Sequence, residues 1–249
     1  FCTFGRGDSA QKAAEQLLDP NIKLQPGEPF FRNLLEKATS ALYPAFFRRA
    51  AKLPRQNTVL FESFFGRQYS DNPRAIYEYM KKNCPEYRLI WNVEKGFEAV
   101  FKREKVPYVI KYSYRGLLTW ARAKYWVTNS RWPLWLPKPK DTTYIQTWHG
   151  TPLKTLGADI KHISMPGMTL EKYHSQFTEE ARKWDYCVAP NPYSATIFKR
   201  AFEVQGKMIQ SGYPRNDLLY RQNNSREIDA VKRKLKIDPK KKIILYAPT

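Results

Sequence analysis

Cysteine, histidine, acidic side chains and long apolar runs are all scarce in this chain, and each scarcity argues against a class of function. Three cysteines, Cys2, Cys84 and Cys187, occur in 249 residues. They are odd in number and show neither metal-type nor redox-type pair spacing, which fits free thiols in a reducing cytosol better than a secreted disulfide framework. The three histidines, His149, His162 and His174, form no cluster with cysteines or carboxylates at ligand spacing. No protein-held metal and no cofactor is therefore expected. No run approaches the roughly 18 to 20 apolar residues that span a bilayer, and no charged-then-apolar start resembles a signal peptide. Acidic residues number 23 against 43 Lys and Arg, a net charge of +20. That balance favours anionic partners, whether phosphate polymers, anionic lipid or nucleic acid, without choosing among them.

What is present is a globular composition, 42% hydrophobic, long enough to bury one good core or one core plus part of another. Three segments are expected. Residues 1–55 form an N-terminal segment, with a possible short helix around 10–18 and then an aromatic and basic stretch over 29–55. There Phe30, Phe31, Leu34, Leu35, Ala38 and Leu42 recur at helical spacing, followed past Pro44 by Phe46, Phe47, Arg48, Arg49, Lys52 and Arg55. Such a stretch can lie on an anionic membrane surface, or it can be a helix packed on the domain with its basic residues solvated.

Residues 56–220 alternate strand and helix. Thr58–Phe61, Tyr87–Trp91, Val106–Ile110, Tyr125–Thr128, Thr143–Gln146, Trp184–Ala189 and Met208–Gln210 read as strands. Asn72-Pro73 and Asn191-Pro192 read as helix caps, and Ser113–Ala123 as a helix. Leu170, Tyr173, Phe177, Ala181 and Trp184 form a helical stripe suited to a core or a domain contact. This alternation implies an α/β fold with a mostly parallel sheet and helices on both faces. Residues 221–249 carry a helix over Ser225–Leu235 and an apolar run, Lys242–Pro248, that reads as the first strand of a second α/β unit. With Phe1 standing where an initiator Met would be, that run suggests an internal piece of a longer protein.

The stretch most suited to chemistry is Gln146-Thr147-Trp148-His149-Gly150-Thr151-Pro152-Leu153-Lys154. A strand leading into a turn-prone Gly-Thr-Pro places His149 just past the strand's carboxyl end, where open α/β sheets bind ligands. Gly150 admits a ligand close to the backbone, Thr151 supplies a hydroxyl and Lys154 a cation, a set that suits a phosphate beside a proton acceptor. The residue types also allow a packed Trp-His pair before a tight turn.

This run, with Leu156-Gly157 and Asp159, resembles the signature of the CDP-glycerol:poly(glycerophosphate) glycerophosphotransferase family, the teichoic acid primases and polymerases. So do Phe61-Glu62-Ser63-Phe64-Phe65-Gly66 with Tyr69-Ser70-Asp71-Asn72-Pro73, then Gly212-Tyr213-Pro214-Arg215-Asn216-Asp217, and Ile243-Ile244-Leu245-Tyr246-Ala247-Pro248-Thr249. The resemblance covers about residues 57–249. It implies a GT-B fold of two Rossmann-like halves, of which this chain supplies the N-terminal, acceptor-side half and the first strand of the other.

The reaction implied is transfer of glycerol phosphate from CDP-glycerol to the hydroxyl end of a lipid-linked polyol-phosphate acceptor, releasing CMP, at the cytoplasmic face of the cell membrane. Donor binding would lie mainly in the other half. His149 is the candidate base both by resemblance and because an imidazole titrates near neutrality, with an ordinary pKa of about 6.5. Gly150, Thr151 and Lys154 are candidate phosphate contacts, and Asp159 a candidate partner of His149 or Lys154, or a surface carboxylate. Arg67, Asn129, Arg131 and Arg215, next to strand ends, are candidates for the polyanionic acceptor. His162 and His174 are expected in surface or packing roles. Ribitol phosphate is the alternative substrate. A basic nucleic-acid-binding module is the alternative from another class, and it requires exposed aromatics for base stacking.

Overall fold

The computed structural model describes residues 42–164 and 166–246. The short helix expected over 10–18, the amphipathic positions 29–41 and the end of the chain at 247–249 lie outside the described residues. The chain divides into Phe1–Tyr43 and Pro44–Thr249, and the second unit holds the sheet.

Seven strands occur in chain order: β1 Gln56–Glu62, β2 Arg88–Val93, β3 Tyr108–Ile110, β4 Ala123–Thr128, β5 Thr143–Gln146, β6 Tyr186–Ala189 and β7 Lys207–Gln210. They pair in the order β3-β2-β1-β4-β5-β6-β7, every pair parallel. Chain order reverses between β1 and β4, which opens a crevice at their carboxyl ends. The helices are α1 (residues 42–50), α2 (Asp71–Asn83), α3 (Ala99–Arg103), α4 (Tyr114–Arg122), α5 (Leu170–Ala181), α6 (Pro192–Ala201), α7 (Asp217–Arg221) and α8 (Ser225–Lys234).

Two-residue alternation divides the core between the two faces. Val59 and Phe61 of β1 with Trp91 and Val93 of β2 meet Tyr77 of α2 and Phe101 of α3. On the opposite face Leu60 pairs in register with Trp126 of β4, and the Trp126 ring packs on Phe47 at 6.4 Å, Trp132 at 4.7 Å and Tyr144 at 5.7 Å. Trp91, Trp120, Trp126 and Trp184 are fully buried. These rings go into the core, where each removes about 150–250 Å² from water.

Local signals account for several helix starts. Asn191 caps α6 by accepting from Ser194 N at 2.9 Å, with Pro192 at the first helical position, as the Asn-Pro pair predicts. Ser113 caps α4 in the same way through Gly116 N at 3.0 Å. Asn72 departs from expectation: α2 begins two residues earlier, at Asp71 with Ser70 in the cap position, and the Asn72 side chain leaves its own helix for the site.

In the aromatic and basic stretch, Phe47 is buried against Trp120 and Trp126, and Phe46 packs on Tyr114 at 5.3 Å. Phe46 and Phe47 thus pack on the domain, while Arg48, Arg49 and Lys52 remain exposed, as either reading requires. The apolar run from Lys242 forms no strand over 242–246, and Ile244, Leu245 and Tyr246 are each more than 80% exposed. A strand needs a neighbour for its N–H and C=O groups, and among the described residues none stands beside this run.

Candidate active site

The site gathers where β1, β4 and β5 end. After Glu62 the chain makes a left-handed turn, with φ of 44° at Phe64, 62° at Phe65 and 87° at Gly66. Two side chains from the end of β4 hold it: Asn129 Oδ1 accepts from Phe64 N at 2.8 Å and Ser130 Oγ from Phe65 N at 3.2 Å. Gly66 is required twice over, since its φ is left-handed and a Cβ there would sit 2.7 Å from Glu94 N. Left-handed backbone at bulky residues is costly and persists only where its surroundings enforce it.

β5 passes into a second strained residue, Trp148, at φ 48°. Thr147 N donates to Thr128 O at 2.8 Å, and Trp148 N donates to Gln146 Oε1 at 3.0 Å. Asn72 Nδ2 donates to the carbonyls of Thr147 at 3.3 Å and Trp148 at 3.1 Å. This strained corner presents His149 at the surface, its ring stacked on Trp148 at 4.5 Å and tilted against Phe64 at 5.7 Å.

The tautomer of His149 follows from its partner. Nδ1 lies 2.7 Å from the carbonyl oxygen of Asn129. A carbonyl only accepts, so Nδ1 carries the proton and neutral His149 keeps its lone pair on Nε2, the atom facing away from the protein contact. The imidazole is thereby set up as a proton acceptor.

A polar network backs this arrangement. Arg215 Nη1 donates to the His149 carbonyl at 2.9 Å and to Asp71, with which it forms an ion pair. Asn129 Nδ2 donates to Asp71 Oδ2 at 2.5 Å and to Ser63 Oγ at 3.2 Å. Asn72 Oδ1 accepts from Arg215 N at 3.3 Å. Asp71 and Asn72 were singled out in the sequence only as part of a motif and as a helix cap. Their contribution here is to join α2, β4, β5 and the Arg215 loop, and the Asn-Pro signal that marked Asn72 concealed it.

The sequence-predicted residues fall into two groups. His149, Asn129 and Arg215 come together. Asn129, however, is fully buried with its amide committed inside the protein, so it orients His149 rather than facing the crevice. Gly150, Thr151 and Lys154 continue from His149, with Thr151 and Lys154 exposed and Lys154 unpaired among the described residues. Asp159 goes elsewhere: Arg200 grips both of its oxygens at 2.8–3.1 Å, and that guanidinium holds its carboxyl below the usual range. Arg67 lies over Phe97 at 5.6 Å. His174 Nε2 donates to Ile160 O at 2.7 Å, a packing role, and His162 is exposed. Burial pushes the Cys187 thiol up to about 12, which fits a structural thiol. Among the described residues no three His, Cys, Asp or Glu side chains converge to hold a metal.

One buried acid ties β5 to the segment that follows β4. Glu180 of α5 accepts from Tyr144 Oη at 2.6 Å, Trp132 N at 3.2 Å and Trp184 Nε1 at 2.8 Å. Burial pushes its carboxyl up to about 7, against the pull of those three donors.

Residues 45–249 match the sequence family described as CDP-Glycerol:Poly(glycerophosphate) glycerophosphotransferase. The chain is 51% identical over 214 residues to the teichoic acid poly(glycerol phosphate) polymerase of Bacillus subtilis (strain 168), covering 86% of this chain and 29% of that protein. It is 46% identical over 220 residues to the teichoic acid glycerol-phosphate transferase of Staphylococcus aureus (strain NCTC 8325 / PS 47), covering 88% of this chain and 56% of that one. Its fold is similar to a solved structure of the wall teichoic acid polymerase TagF, a variant soaked with CDPG. That match has a TM-score of 0.74 at 36% identity and covers 90% of this chain and 57% of the other. The chain thus spans between about a third and a little over half of the length of these relatives.

Proposed function

Because the chain belongs to the CDP-glycerol:poly(glycerophosphate) glycerophosphotransferase family, we propose that it is the acceptor-side part of an enzyme of teichoic acid or related polymer synthesis. That enzyme moves glycerol phosphate from CDP-glycerol to the hydroxyl end of a lipid-linked glycerol-phosphate chain. The observation that carries the reading is the Asn129 carbonyl on His149 Nδ1, which leaves Nε2 as the base. Nε2 takes the proton of the acceptor hydroxyl, and the oxygen attacks the phosphorus that bears glycerol. The bond from that phosphorus to the bridging oxygen breaks, and CMP leaves with the electron pair. Lys154, Thr151 and the backbone at Gly150, which follow the base in the chain, are the proposed contacts for the phosphoryl oxygens as they gather charge.

The remainder of the reading concerns place and partners. The enzyme works peripherally at the cytoplasmic face of the membrane, drawn to anionic lipid by Arg48, Arg49 and Lys52. Donor contacts lie mainly in the second Rossmann-like half of the GT-B pair. A nucleic-acid role is the weaker reading, because Trp91, Trp120, Trp126, Trp132 and Trp184, the largest rings that could stack on bases, are inside the core. The experiment that tests the function supplies the full-length enzyme with CDP-glycerol or CDP-ribitol and a lipid-linked glycerol-phosphate acceptor. CMP release and chain growth from CDP-glycerol are expected; growth from CDP-ribitol alone would move the substrate to ribitol phosphate.

A further inference from the structure

Two residues beyond the carbonyl that holds His149, a cavity of about 300 Å³ opens at the same carboxyl end of the sheet. Phe65, Lys111, Arg131, Trp132 and Gln176 line it. Two of the segments that touch His149 therefore continue into its wall, Phe64 into Phe65 and Asn129 into Arg131.

The two cations in this wall differ in kind. Lys111 is spoken for: its Nζ lies 3.0 Å from Glu62 Oε1 in a pair that is almost wholly buried, and Asn92 holds the other Glu62 oxygen at 2.6 Å. Arg131 has no carboxylate within ion-pair distance among the described residues. Its guanidinium lies over the Phe177 ring at 3.7 Å and gives a single hydrogen bond, 3.3 Å to Gln176 O, out of five N–H donors. Glu180 is nearby but is committed to Tyr144, Trp132 and Trp184. Burial disfavours the charged guanidinium and pulls its pKa down. A rigidly stacked, half-buried guanidinium with unused donors in an open cavity matches a planar or tetrahedral oxyanion, which it binds with two parallel hydrogen bonds.

We propose that this cavity is a subsite for a phosphodiester of the acceptor, with Arg131 gripping a phosphate behind the hydroxyl that His149 deprotonates. The assignment rests on the reading of His149 as the base. Two residues of main chain, a span of at most about 7 Å, separate the Asn129 carbonyl that holds His149 from Arg131. The subsite gives the enzyme a physical means of preferring an acceptor that already carries more than one phosphate.

The test compares soluble acceptors bearing one and three glycerol phosphates in the full-length enzyme, with wild type, Arg131→Gln and Arg131→Lys. For the three-phosphate acceptor, Arg131→Gln should raise KM about tenfold or more, the factor a charge-assisted hydrogen bond carries. The rise should be several times larger than for the one-phosphate acceptor. Arg131→Lys should recover only part of the loss, since a point charge cannot make the bidentate contact. Equal KM changes on both acceptors, or a loss of kcat in step with a lower melting temperature, would assign Arg131 to packing on Phe177 and overturn the proposal. Failure of the His149 reading shows separately, as retained turnover in His149→Gln with the dependence on acceptor length intact.

Discussion

Replacing His149 with glutamine removes the base and little else. The substitution deletes the 2.7 Å bond to Asn129 O, worth about 1 kcal/mol, and the stacking on Trp148, worth about 0.5–1.5 kcal/mol. His149 itself is exposed, so no cavity opens. A stability loss of about 2 kcal/mol shifts the melting temperature of a body this size by roughly 4–8 °C and leaves the protein folded at 25 °C. The kinetic loss is of another order. General-base catalysis contributes about 10²–10⁴ in rate, equivalent to roughly 2.7–5.4 kcal/mol of barrier. In the full-length enzyme, CMP release from CDP-glycerol with saturating acceptor should therefore fall at least about 100-fold, while CDP-glycerol binding by calorimetry stays near wild type. A folded, donor-binding His149→Gln enzyme with near-normal turnover would refute the base assignment and leave His149 as the cap of a strained corner.

Two glycines of the His149 stretch should separate cleanly. A Cβ at Gly157 would meet Ala201 O at 2.2 Å with φ at 57°, so Gly157→Ala should lower the melting temperature by several degrees. Gly150 has nothing within 4 Å of such a Cβ, so Gly150→Ala should melt like wild type and lose turnover only because the ligand needs that space; unchanged turnover would remove Gly150 from the site. Glu180 links stability to pH: its folded pKa of about 7 lies above the ordinary 4.5, so the folded state binds more protons and stability falls as pH rises from about 4.5 through 7. Glu180→Gln should flatten that slope in urea unfolding at pH 5 and 7, and an unchanged slope would point to another group. Vesicle co-sedimentation should fall for anionic but not neutral lipid when Arg48, Arg49 and Lys52 become Gln; equal binding of the wild type to both lipids would remove the electrostatic attraction.

The alternation of strands and helices was legible in the chain because both periods are local: Val59 and Phe61 two apart in β1, and Asn191-Pro192 opening α6, need no knowledge of what lies across the sheet. So was the position of His149 past the end of β5. Its partner was not. Asp159, ten residues away, was the nearest acid downstream of His149 and went to Arg200 instead. The hydrogen bond that selects the tautomer comes from the backbone of Asn129, and the Arg215–Asp71 pair spans 144 residues. A main-chain carbonyl has no residue type to read, and strand order decides which loop ends meet. Only when β4 lies between β1 and β5 do Phe64, Asn129 and His149 end side by side at the reversal of the sheet, and the chemistry depends on that neighbourhood.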